Sequence, residues 1–516
     1  MATGGSMRAP GELLATSLEE LHKIQKDGVV RSSEISRSHR ERLIRNGFLM
    51  QVVKGWLIIT NPSLRESEST AWYASYWSFV RHYLNERFSN DYCLSPEASI
   101  KRHMGSTVIP SQLIVVTKKK GVQTLSLLSG TSMLLYQEKR NFPVDRVNKD
   151  GLWILDLPAA LCKAQPSFFK NNPNEAEIAL RMVRDPSQLL RILLDKGGRA
   201  VAGRIAGAYM FLGEDRFAKR IINGMTAAGY KVRPANPFER QVPVLGGGRI
   251  TSPYMGRIET MWMSMRGDVA DIFPAPPGIP ADRGAYLKRI DEIFVNDAYN
   301  SLSIEGYKVT RELIERVRAG KWDPDKDEND KNQREALAAK GYSLAFNSVK
   351  ASIRKILKGE DASQIVAADH HEWFTHMFSP SVQAGILRPS DLAGYRNDQV
   401  YIRDSYHVPP PKEAIIDCMD ALLKMIKNES HPGVCAVLGH LIFVFIHPYM
   451  DGNGRIGRFL MNALLASGGY PWAVIRLERR REYMTALEDA SVKGRISRFA
   501  RFIKDELKYS SRLKGR

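Results

Sequence analysis

The sequence predicts a multidomain protein: an N-terminal winged helix and α+β body, then a C-terminal all-α core that carries a β-hairpin flap. Three observations lead there. The chain has 516 residues, where a single domain takes about 100–200. From Ala285 onwards apolar residues recur at helical spacing, with one alternating stretch, whereas alternating β-rich runs fall between Phe48 and Leu135. Residues 233–282 concentrate Pro and Gly, as a connector between two bodies does. The expected organisation is a tail at 1–16, a winged helix at 17–65, an α+β domain at 66–232, a linker or arm at 233–284 and the helical domain at 285–508.

Composition narrows the class. Apolar residues make up 43% and charged residues 25%, enough to bury a core in each domain and unlike a collagen-like or largely disordered chain. No apolar run reaches the roughly 18–20 residues that span a bilayer; the longest, Val434 to Ile446, ends at a His-Pro. Met1 to Thr16 has no apolar core or cleavage site, so a signal peptide is not expected. Cys93, Cys162, Cys418 and Cys435 are scattered without metal-ligand spacing, which reads as reduced thiols in a cytoplasmic protein with no membrane partner. The net charge of +19 is uneven: residues 281–516 hold 37 Lys and Arg against 31 Asp and Glu, leaving 38 against 25 in residues 1–280. That excess favours an anionic partner for the N-terminal part, nucleic acid first.

Taken in order, Leu18, Leu21 and Ile24 lie at helical spacing behind Ser17, a cap with Glu20 three residues on, and Asp27-Gly28 stops the helix. Arg31 to Ile35 reads as a second short helix, and Ser36 to Arg45 as a third, very basic one. Phe48 to Thr60 is a β-hairpin around Lys54-Gly55. Three short helices and a hairpin give a winged helix whose third helix would turn Arg37, His39, Arg40 and Arg42 towards DNA. Residues 17–61 resemble the N-terminal winged helix of the AbiEi-type antitoxins. The stretches Tyr92 to Ser99 and Pro110 to Val116 are similar to the body of that family, and the resemblance extends to residue 230. Within that body, Ala71 to Glu86 reads as a helix, and Leu113 to Leu135 as strands around a basic hairpin tip at Lys118 to Gly121. Four further helices run from Ala176 to Ala228.

In the helical region, Gly394 to His407 alternates and ends in Val408-Pro409-Pro410-Pro411, which predicts the hairpin flap. Its exposed edge would pair with an extended target segment, with Val400 and Ile402 facing one side to pin it. His370, His371 and His376 lie in a segment that reads as an amphipathic helix without metal-ligand spacing. The acidic residues 322–332 lack the glycine of a calcium loop and read as a solvated connection.

The chemistry concentrates in residues 447–458, between two apolar helices. Gly452, Asn453 and Gly454 open a helix, so backbone N–H groups and the helix dipole make an anion site. Arg455 and Arg458, three apart, face one side and can clamp phosphates. Asp451 is placed to hold a divalent cation against those phosphates, and His447 to deprotonate a nucleophile. Together these imply phosphoryl or nucleotidyl transfer. The loop resembles the Fic family signature HxFx(D/E)GNGRxxR and departs from it only at Tyr449, which stands for Phe. The resemblance covers 285–508, including Leu387-Arg388, the prolines after the flap and Arg480 to Leu487.

What the resemblance implies is specific. His447 would be the general base for a target Tyr, Ser or Thr hydroxyl. Asp451 would bind Mg²⁺ across the α- and β-phosphates of ATP. Gly452, Asn453 and Gly454 would form the anion hole, with Asn453 on the α-phosphate. Arg455 would stabilise the pyrophosphate side, and Arg458 would reach the γ-phosphate. Asn462, one turn on, would lie towards the nucleoside. Ser301-Leu302-Ser303-Ile304-Glu305-Gly306 fits the family's inhibitory pattern (S/T)xxxE(G/N): Glu305 would meet Arg458 where the γ-phosphate belongs, Ser301 would orient the helix, and Gly306 would close it. The expected activity is AMP transfer from ATP to a target protein, inhibited by Glu305 and fused to an antitoxin-like module. Two alternatives stay open: removal of AMP or transfer of another phosphate-bearing group, and a DNA-binding regulator whose Fic domain senses nucleotide. A homodimer is also left open.

Overall fold

The computed structural model describes residues 10–62, 69–119, 122–196, 198–240, 242–246, 250–321 and 334–512. The chain divides into two compact units, Met1–Pro253 with Tyr401–Val408, and Tyr254–Val400 with Pro409–Arg516.

The first unit opens with helix Pro10–Ile24, so helix occupies part of the expected tail. Val29–Arg31 is a strand, not the start of a second helix, and pairs antiparallel with Trp56–Ile59. Two β-branched residues favour the ladder there, and the Glu34 carboxylate accepts from Arg31 N at 3.2 Å, closing a turn where a helix was expected. Helix Arg37–Arg45 follows, capped by Ser36, and strands Leu49–Val53 and Trp56–Ile59 pair across Lys54-Gly55. Gly55 has φ +89°, the left-handed conformation this turn requires. Leu21, Val30, Leu43, Leu49 and Leu57 form the small core between them.

Helix Thr70–Phe88 packs its aromatic side chains into a second core with a sheet ordered Tyr92–Leu94, Gln112–Thr117, Ser132–Gln137, Gln123–Ser126. Gln112–Thr117 pairs parallel with Ser132–Gln137, and Gln123–Ser126 pairs antiparallel with that same strand. The strands before and after Lys118 to Gly121 are therefore separated by a third, so the segment is no hairpin tip; Lys120 and Gly121 lie outside the described residues.

The expected linker at 233–284 is two different things. Its first part is pinned to the N-terminal unit: buried Glu177 accepts from Val244 N and Leu245 N at 3.1 and 3.0 Å and pairs with Arg240. Ala235 N donates to Gly203 O at 3.0 Å. Its second part contains helix Pro253–Ile272, whose Ile258, Trp262 and Val269 are buried in the core of the C-terminal unit. Flanking Pro and Gly hid a 20-residue helix with a core face.

The C-terminal unit is helical, with no strand among its described residues. Helices Pro432–Ile446 and Asn453–Ser467 run through its centre and are buried almost throughout. Arg283–Ile304, Arg334–Leu357 and Ala362–Gln383 pack around them, with Arg480–Lys493 and Ser497–Arg512 closing the bundle. Among the described residues no helix is long and apolar enough to cross a membrane. The acidic connection at 322–333 lies outside the described residues.

The expected β-hairpin flap is absent. Gly394 to Val408 holds bends and turns, with no strand ladder. Residues 401–408 bond instead inside the first unit at their C-terminal end: Val408 N donates to Thr107 O at 2.7 Å, and Ile109 N to Tyr406 O at 3.1 Å. Pro409 to Pro411 carry no N–H, so a second flap strand would lack donors where it leaves the loop.

Candidate active site

Helix Pro432–Ile446 ends on His447, which has left-handed φ +54° and ψ +58° and donates its N–H to Phe443 O at 2.9 Å. A non-glycine residue in this region is strained, and the surroundings hold it there. Buried Arg396 donates from Nε to His447 O at 2.8 Å, and Arg396 N donates to Pro448 O at 2.8 Å. The same guanidinium reaches the carbonyls of Asp398 and Pro410. Arg396 thus ties the turn after the first central helix to segments on either side of residues 401–408.

His447 Nδ1 lies 3.2 Å from Val444 O. A carbonyl only accepts, so Nδ1 carries the proton and Nε2 keeps its lone pair. Burial, and secondarily the Arg396 charge, lowers the pKa of His447 to about 4. The imidazole is therefore neutral at physiological pH, the form a general base needs.

The loop that follows is shaped by Asn453. Its Oδ1 accepts from Tyr449 N and its Nδ2 donates to Tyr449 O, both at 2.8 Å. The residue is 1% exposed, and both ends of its amide brace the loop through the Tyr449 backbone. Tyr449 is fully buried, stacked on Phe374 with ring centroids 4.0 Å apart. Its hydroxyl meets His371 Nδ1 at 2.9 Å, which explains how this chain accommodates Tyr in place of Phe. Gly452 has φ +81°, and a Cβ there would crowd the Phe378 ring.

At the N-terminus of helix Asn453–Ser467, the Asp451 carboxylate accepts from Gly452 N at 2.6 Å and from Arg455 at 3.0 Å. Arg455 is itself buried, its guanidinium lying over Tyr307 and Phe378 at 5.3 and 5.1 Å from the ring centroids. Arg458, also buried, donates from Nε to Ser301 Oγ at 2.9 Å, and from Nη2 to Ser301 O at 3.1 Å and Glu305 Oε1 at 2.7 Å. The Glu305 carboxylate lies directly over Gly454, where any Cβ would run into it. A carboxylate thus occupies the anion site formed by the helix terminus and an arginine. The buried Arg455 Nε and Arg458 Nη1 find no hydrogen-bond partner among the described residues, so the site has donors beyond those Glu305 uses.

Glu305 is held by the end of its own helix. It caps Arg283–Ile304, Gly306 follows with φ +90°, and the pairs Gly306 N to Ser303 O and Tyr307 N to Leu302 O make a Schellman closure. The glycine of the expected motif is thus the residue that a left-handed helix end selects.

The Asp451 side chain is 67% exposed, and no group of three or more His, Cys, Asp or Glu residues that could hold a metal occurs among the described residues. Asp451 is the accessible carboxylate that would hold a divalent cation at this helix terminus. The histidine-bearing segment is helix Ala362–Gln383, where His370 bonds Val366 O and Tyr395 OH.

His447, Asp451, Gly452, Gly454, Arg455, Arg458, Ser301, Glu305 and Gly306 converge in the C-terminal unit. Asn462 does not reach outwards: its Nδ2 donates to Ala473 O at 3.2 Å and its Oδ1 accepts from Ala473 N at 2.7 Å. Val400 and Ile402 are half-buried in an irregular segment and do not share the face of a strand. Of the expected DNA contacts, three are half-buried and hydrogen-bonded within the first unit. His39 Nδ1 meets Ser17 Oγ at 2.9 Å, Arg40 donates to Ser32 O, and Arg42 donates to Leu13 O and Ser17 Oγ. Arg37 is exposed and paired with Glu41. Sequence reasoning missed Arg396 and His371. Arg396 stands alone, far from the loop in sequence; the Tyr449 departure was the only signal that a polar partner such as His371 was needed.

Residues 363–465 match the Fic/DOC family, so the C-terminal region carries a Fic/DOC domain. The match takes in the loop, the first central helix and all but the last two residues of the second, and leaves out Ser301 to Gly306. A "Protein adenylyltransferase Fic" of Nematostella vectensis is 32% identical over 229 residues, 44% of this chain and 49% of that protein. One of Drosophila grimshawi is 31% identical over 229 residues, 43% of this chain and 44% of that one. The chain spans about half the length of the curated relatives it matches. Among solved structures, Fic-1 (aa134–508) of C. elegans is 18% identical, with 69% of this chain and 90% of that one covered and a TM-score of 0.37. A Fic domain containing signaling protein of Bacteroides thetaiotaomicron is 20% identical, with 50% and 94% covered and a TM-score of 0.35.

Proposed function

We propose that the chain transfers AMP from ATP to a hydroxyl of a target protein, and that Glu305 holds this activity down. The observation that carries the reading is the Glu305 carboxylate on Arg458 and over Gly454, in the same site as a neutral histidine. An anion site at a helix terminus with two buried arginines suits a triphosphate. In this reading His447 Nε2 takes the proton of the attacking hydroxyl. The hydroxyl oxygen bonds to the α-phosphorus, the bond to the bridging oxygen of the β-phosphate breaks, and pyrophosphate leaves. The helix terminus, Arg455 and Arg458 stabilise the charge that develops, so catalysis is positioning plus electrostatics. Asp451 would hold a magnesium ion, which supplies charge neutralisation at the phosphates. Glu305 inhibits by taking the Arg458 contact that the γ-phosphate needs.

The test compares ATP labelled at the α-phosphorus with ATP labelled at the γ-phosphorus, using Glu305→Gly protein and Mg²⁺. Protein-bound label from the α-position alone is expected. Label from the γ-position alone means phosphate transfer and rejects the proposal.

A further inference from the structure

The helix that carries Glu305 is gripped from two sides, and only one grip belongs to the anion site. Ser301 and Glu305, one turn apart, face Arg458. Asn300 and Ile304, also one turn apart and on the adjacent stripe, face a different element: the turn Leu477–Arg479 and the first residue of helix Arg480–Lys493. Leu477 N donates to Asn300 Oδ1 at 2.8 Å, and Arg480 Nε donates to Ile304 O at 2.8 Å. Asn300 is 5% exposed, and its Nδ2 donates to Asn296 Oδ1 and O, so its orientation is fixed. Ile304 supplies the last helical carbonyl before Glu305, and a cation on a C-terminal carbonyl is favoured by the helix dipole.

The turn itself has a firm footing. Arg476 and Arg479 both pair with Glu506, which is fully buried on helix Ser497–Arg512: Arg476 Nε at 2.9 Å and Arg479 Nη1 at 2.5 Å. A rigid base therefore holds Arg480 and Leu477 against the end of the Glu305 helix. Arg480 is exposed, and its guanidinium bonds the helix end, not the loop 447–458, so it can be changed without touching the anion site.

We infer that the 477–480 turn is a latch that sets the strength of inhibition, with Arg480 as its positioning residue and Asn300 as its fixed partner. This rests on the reading of Glu305 as an inhibitory carboxylate. With Arg480 in place, the Schellman closure at Gly306 and Tyr307 stays formed and Glu305 stays over Gly454. Without the Arg480 hydrogen bond, the helix end frays and the carboxylate leaves Arg458 more often. Anything that draws the exposed Arg480 guanidinium away raises activity without entering the active site.

The experiment uses the full chain as wild type, Arg480→Ala, Arg480→Lys and Asn300→Ala, and each of the first two also in a Glu305→Gly background. Two readouts are taken. Hydrogen exchange of the peptide containing Gly306 and Tyr307 reports the latch whatever the reaction. It should speed up in Arg480→Ala by about threefold to tenfold, the scale of one accessible hydrogen bond. Arg480→Lys, which can still cap the carbonyl, should restore much of the protection, and Asn300→Ala should act in the same direction as Arg480→Ala. Label transfer from α-labelled ATP should rise by a similar factor in Arg480→Ala and should not rise further in the Glu305→Gly background. Unchanged exchange in Arg480→Ala overturns the latch. So does an equal rise in labelling with and without Glu305, which would make Arg480 a general determinant of rate. If Glu305→Gly itself transfers no label while exchange responds as expected, AMP transfer fails and the latch on the helix stands.

Discussion

His447 carries a strained left-handed backbone, a proton fixed on Nδ1 and a free Nε2. Its pKa is lowered to about 4 by burial, and the sign of the pH dependence follows. The group must be neutral to accept a proton, so activity is lost only as pH falls through its folded pKa. In Glu305→Gly protein, label transfer should stay level from pH 8 to pH 6 and drop as pH approaches about 4, measured as initial rates at saturating ATP. A midpoint near the ordinary histidine value would contradict this environment. Much of the site was legible at this scale, because chemistry that depends on twelve consecutive residues needs no tertiary information. What was not legible depended on distant or folded-back partners. Asn453 reads as a phosphate ligand in sequence, which gives no sign that its amide also exchanges two hydrogen bonds with the Tyr449 backbone. Arg37, His39, Arg40 and Arg42 read in sequence as facing DNA; the sequence does not show that Ser17 meets His39 or that Ser32, Leu13 and Ser17 accept from Arg40 and Arg42.

Among the elements, the helix ending at Ile304 matters most. Its closure requires a left-handed residue at Gly306, with φ +90° and nothing within 4 Å of where a Cβ would stand, so the obstacle to alanine there is conformational and not steric. Gly306→Ala should cost about 1 kcal/mol at this position and loosen the Glu305 turn. Label transfer should rise severalfold over wild type while remaining below Glu305→Gly; no rise would mean that the turn does not hold the carboxylate. The helical elements of the C-terminal unit were readable from apolar spacing. The flap was misread because alternation of Val400 and Ile402 mimics a strand, whereas the prolines at 409–411 deprive a partner strand of donors. Helix Pro253–Ile272 was misread for the opposite reason: Pro and Gly on both sides masked its pattern.

For the molecule as a whole, the consequence of that helix is a core that begins well before Ala285. Trp262 is 1% exposed among the core residues of the C-terminal unit. Trp262→Ala in the full chain should lower the stability of that unit by about 3–5 kcal/mol, read from denaturant unfolding. A linker residue would change it by no more than about 0.5 kcal/mol. The Pro- and Gly-rich stretch at 233–282 reads as a connector between two bodies, but local patterns do not encode the excursion in which the chain leaves the C-terminal unit at Tyr401 and returns at Pro409. The measurement that tests the active site most directly is the initial rate of label transfer from α-labelled ATP, with Mg²⁺, by wild type, Glu305→Gly and the Glu305→Gly/His447→Ala double variant. Low transfer in wild type, strong transfer in Glu305→Gly and none in the double variant is the expected result. Equal transfer by wild type and Glu305→Gly, or transfer that survives the loss of His447, would contradict it.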